Sequence, residues 1–412
     1  MKVRVPKIYL FEKQKLVRMA FHWAMLIAYL GSLNPWFMWS LGGMYVILCV
    51  LLLVTAMLMA RTMDAKFFTR RHFLIPLMAY ALISFYQIVV NGDSVNAYVA
   101  NCFNIVVYFS IFITDRDEFD KLATFLCKFM GGFLCVSIAA FLLHLGGFPF
   151  PSVNAQFLDG YYSFNNYFLF MRDDRFLSDI FPRFQSVFLE PGHLGTATVL
   201  LLFTQCGKWR RWYNIVLLVA TLISFSLSAY ILLTLSIIML LWVQRKHFIG
   251  KLIAVSLVFV GIIVGSFFYN GGDNLLHDLI ILRMEVDDGE LVGNNRTTID
   301  FDAAFESFLQ SSDILCGRDI TGVTEGNSGY KVYIYDNGLI GLFLLFLFYA
   351  VAMFDYRDRR FYIIAMTMAV AAFIPRAYLM WYSYFIPIYC TAMSPTSNLL
   401  PPSKNEDTLR PE

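Results

Sequence analysis

An arginine, a carboxylate and a histidine lie close together in the segment from Arg183 to His193. Proline is favoured at the first position of a helix, so Pro191 predicts a helix start with Glu190 at the N-cap. The dipole of that helix end should keep Glu190 ionised, which suits a base or a hydrogen-bond acceptor. Arg183 is expected either to bind an anion or to hold the loop through a salt bridge with Glu190. His193 is expected to act either as a base or as a packing residue.

Two further arginines stand beside predicted helix ends. Arg296 precedes an amphipathic stretch that starts at Ile299, so it either projects into a cavity beneath that helix or lies solvated in a loop. Arg376 follows Pro375 between the last two apolar runs. A charge at a helix break within a membrane is costly. Arg376 therefore needs a carboxylate or an anionic ligand as partner, unless it extends to the lipid headgroups.

The composition predicts a membrane protein. Hydrophobic residues make up 58% of the chain and charged residues 15%, against about 25% charged in soluble domains. Such a chain cannot cover its own surface with polar groups, so it is predicted to span a membrane many times. The net charge of +2 gives no indication of nucleic-acid binding. No closely spaced His, Cys, Asp and Glu cluster has metal-ligand spacing, so neither a metal nor a cofactor is expected.

The apolar segments predict an all-α polytopic fold. A helix needs about 20 apolar residues to cross the hydrocarbon core, which gives about twelve transmembrane helices. These candidates lie at roughly 16–32, 38–60, 73–91, 96–114, 122–146, 191–206, 212–223, 229–243, 250–268, 336–354, 360–375 and 377–392. The Ser224–Ser228 stretch is interpreted as a turn between two short spans, the alternative being one long tilted helix.

Two long polar segments divide these helices into groups. The chain is predicted to have helices 1–5 in residues 1–146, a long loop at 147–190, helices 6–9 in 191–268, a second long loop at 269–335, helices 10–12 in 336–392 and a disordered tail at 393–412. Lys and Arg are concentrated in alternate turns, which assigns those turns and both termini to the cytoplasm. Both long loops, the Ser224–Ser228 turn and Arg376 then share the outer face.

Each long loop has a feature with two interpretations. The first loop is rich in aromatic residues. It is predicted to form an amphipathic segment at the lipid interface, while stacking on sugar faces is the alternative. In the second loop, Asp287, Asp288 and Glu290 form either a divalent-cation site or a solvated acidic turn. The acidic turn is the preferred interpretation.

The order of these features resembles the bacterial O-antigen and polysaccharide polymerases of the Wzy type, within the O-antigen ligase and polymerase superfamily. The resemblance covers roughly residues 180–345. It is carried by Arg183 to Glu190-Pro191, the serine turn, Arg296 before an amphipathic helix, and the Asn337-Gly-Leu-Ile-Gly341 segment where the chain returns to the membrane. Ligases of this superfamily have a histidine just before that segment, where this chain has Gly326-Asn327-Ser328-Gly329-Tyr330.

This resemblance implies a GT-C-like glycosyltransferase at the periplasmic face of the inner (cytoplasmic) membrane. Such an enzyme transfers a polyprenyl-diphosphate-linked oligosaccharide onto another lipid-linked repeat unit. The residues expected to act are Arg183 and Arg296 on the diphosphate, Glu190 on the acceptor hydroxyl, and Arg376, His193, Asn327 and Tyr330 in substrate binding. The expected partners are the lipid-linked glycan, membrane lipids and a chain-length regulator protein, and nucleic acid is not expected.

The chemistry agrees with these residue types. Charge develops on the departing diphosphate, and fixed arginines stabilise it. A diphosphate leaves without protonation, so the paired carboxylates of a glycosidase are not required. One alternative is an O-antigen ligase that uses a lipid A-core acceptor. A flippase or transporter is the other alternative, but it would have ionisable residues at mid-depth in several spans, where only Lys128 is conspicuous.

Overall fold

A computed structural model shows a bundle of helices whose connections carry small antiparallel sheets. It describes residues 7–92, 95–157, 162–174, 182–244, 248–269, 274, 286–287, 290–291, 297–318, 329–354 and 359–393. The helices are α1 (Lys7–Ser32), α2 (Tyr45–Thr62), α3 (Leu74–Val90), α4 (Val95–Ile113), α5 (Arg116–Leu145), α6 (Pro191–Thr204), α7 (Trp212–Ile223), α8 (Leu227–Gln244), α9 (Phe248–Phe268), α10 (Ile299–Leu309), α11 (Tyr330–Met353), α12 (Arg359–Phe373) and α13 (Tyr382–Met393). The strands are β1 (Val153–Phe157), β2 (Tyr162–Asn166), β3 (Met171–Asp173), β4 (Val286–Asp287) and β5 (Glu290–Leu291), and 3-10 helices occupy Trp36–Met44 and Ser312–Ile314.

The helices have the length and composition of a membrane protein. Within the described residues, 5 helices are long and apolar enough to cross a membrane: Trp36–Thr62, Val95–Ile113, Arg116–Leu145, Leu227–Gln244 and Tyr330–Met353. Shorter apolar helices lie at Leu74–Val90 and Trp212–Ile223. The predicted helical membrane class is therefore confirmed, and the larger number of spans stays a prediction.

Helix α6 lies at the centre of the bundle. All of its residues from Gly192 to Thr204 are buried, as expected of a helix that is apolar on every side. It packs against α5, α7, α8 and α13. A Cβ on Gly195 would lie only 2.8 Å from the Ala229 Cβ and from the Ser224 Oγ. Small residues therefore let α6 and α8 approach closely, which is the usual packing device of membrane helices.

The two ends of α13 mark two chemically different ends of the bundle. At its last residue, the Met393 carbonyl accepts a hydrogen bond of 2.7 Å from Arg116 Nε. Near it, Arg70 donates to the Tyr389 hydroxyl at 2.5 Å. The other end of α13 lies about 17 Å away, at a helical rise of 1.5 Å per residue. Arg376 precedes that end in the chain. Basic residues assigned to the cytoplasmic turns thus gather at the end opposite Arg376.

The first long connection forms a sheet, in place of the amphipathic segment expected there. Strands β1, β2 and β3 pair in that order, all antiparallel. Residues of β2 alternate in burial about Phe164, whose ring is fully buried 5.9 Å from the ring of Trp39. Alternation with period two favours a strand. Aromatic residues before and after β2 conceal that alternation in the sequence.

The predicted turn between α7 and α8 agrees with the structure, whereas α11 and α13 start at residues other than the predicted ones. Helix α7 ends at Ile223 and α8 begins at Leu227, with Phe225 at φ 45° between them, so the serine turn is confirmed. Helix α11 starts at Tyr330, before the predicted 336, because a short helical piece precedes a break at Gly338 (φ 64°, ψ −176°). Helix α13 starts at Tyr382, after the predicted 377, because the chain around Arg376 leaves the helical path.

Candidate functional site

A buried ion pair joins two distant parts of the chain at the end of the bundle opposite Met393. The Arg376 guanidinium donates through Nη2 to Glu190 Oε2. Arg376 is 3% exposed. The predicted carboxylate partner of Arg376 is thus Glu190, and the alternative that Arg376 extends to the headgroups is wrong. A buried guanidinium requires such a counter-charge, because an unpaired charge in an apolar interior is very costly.

Local sequence explains how Glu190 reaches Arg376. Glu190 is the N-cap of α6 in an extended conformation, and Pro191 occupies the first turn, as predicted. The Glu190 side chain makes no capping hydrogen bond to the helix. Its Oε1 instead accepts a hydrogen bond of 2.7 Å from the Tyr162 hydroxyl in β2. Two side chains from outside the helix therefore hold the carboxylate.

These neighbours determine the charge of Glu190. Burial raises the pKa of the Glu190 carboxyl, whereas the charge of the Arg376 guanidinium and its hydrogen bond lower it. His193 and the Tyr162 hydroxyl lower this pKa further. The net pKa lies well below the ordinary range of a glutamic acid. Glu190 is therefore a firmly ionised partner of Arg376 and a weak proton acceptor.

Gly192 makes room for the guanidinium. A Cβ at this position would lie 2.5 Å from Arg376 Nη2 and 3.2 Å from its Cζ. Both distances are shorter than van der Waals contact, so a side chain here would displace Arg376. Glycine in the first turn of α6 is thus part of what lets Arg376 reach Glu190.

His193 packs beneath an aromatic pair that follows Arg376. The rings of Tyr378 and Trp381 are stacked, with centroids 4.1 Å apart and planes at 7°. The imidazole of His193 meets their edges at 5.6 and 5.3 Å and is 3% exposed. These contacts show the packing role foreseen for His193.

The aromatic pair forms one wall of a cavity of about 240 Å³. A second group of lining residues comes from α3 and from the first part of α11, through Gln87, Tyr333, Asp336 and Asn337. Gln87 Nε2 donates to the Tyr333 hydroxyl at 3.1 Å, which fixes these two polar side chains. The cavity therefore combines flat aromatic surface with a few polar groups, as small-molecule sites commonly do.

Close backbone packing holds the α11 wall in position. The Tyr86 hydroxyl donates to the carbonyls of Cys316 and Asn337 at 3.1 and 2.9 Å. Ile340 N donates to the Leu315 carbonyl at 3.0 Å. A Cβ on Gly338 would lie 2.3 Å from that same carbonyl oxygen. The break in α11 thus lets the segment before α11 lie directly against the cavity wall.

Arg183 reaches the same end of the bundle at the serine turn. Its Nε donates to the Ser224 carbonyl at 3.3 Å, and the neighbouring Phe184 N donates to the Ile223 carbonyl at 3.1 Å. Ser224 in turn lies against α6 at Gly195. The segments assigned to a common outer face therefore meet one another.

The other predicted site residues have mixed outcomes. Tyr330 begins α11, and its backbone N donates to the Ile374 carbonyl at 3.2 Å, close to Arg376 in the chain. Arg296, Asn327 and Asp288 lie outside the described residues. Among the described residues, no group of three or more His, Cys, Asp or Glu is arranged to hold a metal ion.

Sequence reasoning missed Tyr162, Trp381 and Asp336. Tyr162 could have been found from the period-two alternation of β2. Tyr378 and Trp381 follow Arg376 three residues apart, a spacing that usually indicates a helix face, whereas here it stacks two rings before α13 begins. Asp336 immediately precedes Asn337 and Gly338, which the sequence indicates only as the segment where the chain returns to the membrane. Comparison with known proteins finds no matching family model, curated protein or solved structure.

Proposed function

We propose that the protein is a glycosyltransferase of the polysaccharide-polymerase class. It transfers a glycan from a polyprenyl diphosphate onto a second lipid-linked repeat unit at the outer face of the inner membrane. The observation that carries this proposal is the buried Arg376 guanidinium beside the aromatic cavity. Arg376 Nε has no hydrogen-bond partner among the described residues, so an N–H donor remains for an anionic ligand.

The leaving group accounts for the arginines. Breaking the bond between the anomeric carbon and the diphosphate puts negative charge on the phosphate oxygens. Guanidinium groups match those oxygens with charge-assisted hydrogen bonds. Positions fixed before the reaction stabilise this charge without reorganisation. Arg376 joins Arg183 and Arg296 as the proposed diphosphate contacts.

Glu190 is proposed to keep Arg376 in position. The carboxylate binds the guanidinium and the Tyr162 hydroxyl, and its lowered pKa makes it a weak base. It therefore contributes by orienting Arg376. This role replaces the role of base expected for Glu190 at the acceptor hydroxyl. His193 and Tyr330 are proposed to shape the site.

Deletion of the gene in the native host tests this function. Wild-type protein should restore the ladder of long surface polysaccharide, and Arg183→Ala, Arg296→Ala or Arg376→Ala should leave single repeat units. Arg318→Ala is the matched control, because this arginine lies near the same end and pairs with Asp313 at 2.7 Å outside the proposed site. A deletion strain with an unchanged ladder would refute the proposal. Loss of all surface attachment, with chain lengths unchanged, would indicate a ligase instead.

A further inference from the structure

Two buried polar atoms, on residues that line the cavity, lack hydrogen-bond partners among the described residues. Among the described residues, Asp336 Oδ1 and Asn337 Oδ1 are buried and accept no hydrogen bond. Both residues line the cavity, and Asn337 is 4% exposed. Buried polar atoms are nearly always satisfied, so two unsatisfied atoms at one cavity require an explanation.

Both unsatisfied atoms are acceptors. Asn337 Nδ2 donates to the Tyr333 carbonyl at 3.1 Å, which leaves the amide oxygen as the free end of that side chain. A carboxylate oxygen is also an acceptor only. The missing partner must therefore donate hydrogen bonds. A hydroxyl-rich molecule meets this requirement, and a phosphate does not.

The aromatic residues of the lining add a second requirement. The rings of Tyr378 and Trp381 stack on each other, and both side chains also line the cavity, where they contribute aromatic surface. A pyranose ring has one face of C–H groups and a rim of hydroxyls. It can lie against aromatic rings with its C–H face while its hydroxyls donate to Asp336 and Asn337. The occupant that fits both walls is a sugar.

This assignment divides the site by the direction of hydrogen bonding. Arg376, which precedes the cavity residues Ala377 and Tyr378 in the chain, supplies donors for an anion. The α11 wall supplies acceptors for hydroxyls. In the proposed glycosyl transfer, the diphosphate-linked donor binds to the arginines and the acceptor sugar binds in the cavity.

We propose that Asp336 is the general base of this transfer, acting on the acceptor hydroxyl bound in the cavity. The proposal rests on the proposed function. The acceptor oxygen forms a bond to the anomeric carbon of the donor while the bond from that carbon to the diphosphate oxygen breaks. The electron pair leaves on the diphosphate, and the hydroxyl proton passes to the Asp336 carboxylate and then to water.

Elongation by membranes in vitro tests the role of Asp336. The substrate is the lipid-linked repeat unit extracted from the gene-deletion host. Asp336→Asn should slow elongation on the order of 10²–10⁴-fold, the usual contribution of a general base, while polyprenyl diphosphate still binds. Asp302→Asn is the control, because this carboxylate pairs with Lys331 at 2.7 Å, away from the cavity lining, and should elongate normally.

Rescue by a small carboxylate distinguishes a catalytic role of Asp336 from a structural one. Formate added to Asp336→Ala should restore elongation at least tenfold, because it replaces the missing proton acceptor. A purely structural role would show no such rescue. If membranes with Asp336→Asn elongate within about threefold of the wild-type rate, Asp336 is not the general base. The proposed function would be left intact. Wild-type membranes that fail to elongate would overturn glycosyl transfer and the base with it.

The wild-type protein provides a readout that needs no variant. Dicyclohexylcarbodiimide modifies carboxyl groups in apolar surroundings, and mass spectrometry locates the modified residue. Modification of Asp336 should abolish elongation, and the extracted repeat unit should protect the residue. Full modification with unchanged elongation would refute the proposal.

Discussion

Arg376 and Glu190 form a unit in which each residue makes the other possible. The guanidinium is almost completely buried, and removal from water destabilises a charge that has no partner. Glu190 supplies the opposite charge, and Tyr162 satisfies its second oxygen. The result is a cation fixed in orientation before any substrate arrives, which is the property that electrostatic stabilisation of a leaving group requires.

The ionised state of Glu190 makes stability depend on pH. Its folded-state pKa lies below the unfolded value of about 4.3, so its contribution is present above that pH and is lost as the pH falls below it. Glu190→Gln should cost about 1–3 kcal/mol at pH 7. Thermal unfolding in detergent should show wild type losing more stability than this variant between about pH 5 and pH 3. Parallel stability curves for the two proteins would contradict the assignment.

Gly192 provides a steric test of the same pair. Gly192→Ala puts a methyl group 2.5 Å from Arg376 Nη2, which should displace the guanidinium and lower stability by about 1–3 kcal/mol. Gly132→Ala is the matched control within a helix, because the nearest atom to its Cβ is Trp212 Cη2 at 3.9 Å. That control should unfold at the wild-type temperature or above it, since alanine favours a helix. Equal melting temperatures for the two variants would refute the steric argument.

At the scale of elements, the break in α11 shapes the cavity wall. Gly338 has φ 64°, a left-handed conformation that glycine adopts without strain. This break turns the first part of α11 so that Asp336 and Asn337 line the cavity. Gly317, also left-handed at φ 90°, lets its backbone lie against Asp336. Two glycines on neighbouring segments therefore set the position of the proposed acceptor wall.

Gly338→Ala should disrupt this wall. Its Cβ would lie 2.3 Å from the Leu315 carbonyl oxygen, and neither backbone can move without breaking the hydrogen bonds of Tyr86. We expect a loss of at least about 2 kcal/mol and no elongation activity. Gly261→Ala in α9, where nothing lies within 4 Å of the new Cβ, should leave unfolding temperature and activity unchanged. Normal elongation by Gly338→Ala would show that the break is not required.

The sequence indicates helices more reliably than it indicates what joins them. Long apolar segments and the Pro191 and serine-turn signals determine local boundaries, and the structure agrees with them. The strand β2 was missed because its alternation is short and set among other aromatic residues. The pairing of Glu190 with Arg376 spans 186 positions. No local spacing identifies such a partner, because it follows from the way α6 and α13 pack.

At the scale of the molecule, charge separates the two ends of the bundle. Arg18 and Lys121 pair with Glu118 at 2.5 and 2.8 Å, and Arg116 binds the end of α13. The cavity, the Arg376 pair and the serine turn lie at the other end. Basic turns face the cytoplasm in membrane proteins, so the proposed site is expected to open to the outside, where the proposed lipid-linked donor would be delivered.

Cys316 is a natural reporter of this orientation. It is exposed near the cavity end, whereas Cys49, Cys127, Cys206 and Cys390 are buried. Cys102 and Cys135 are also exposed but belong to helices long and apolar enough to cross a membrane, where a water-soluble reagent is not expected to reach them. A membrane-impermeant maleimide should therefore label Cys316 in intact spheroplasts. In a Cys316→Ser background, Lys66→Cys between α2 and α3 should be labelled only after permeabilisation. Labelling in the reverse order would put Arg376 and the cavity on the cytoplasmic side, where no outward-facing transfer could use them.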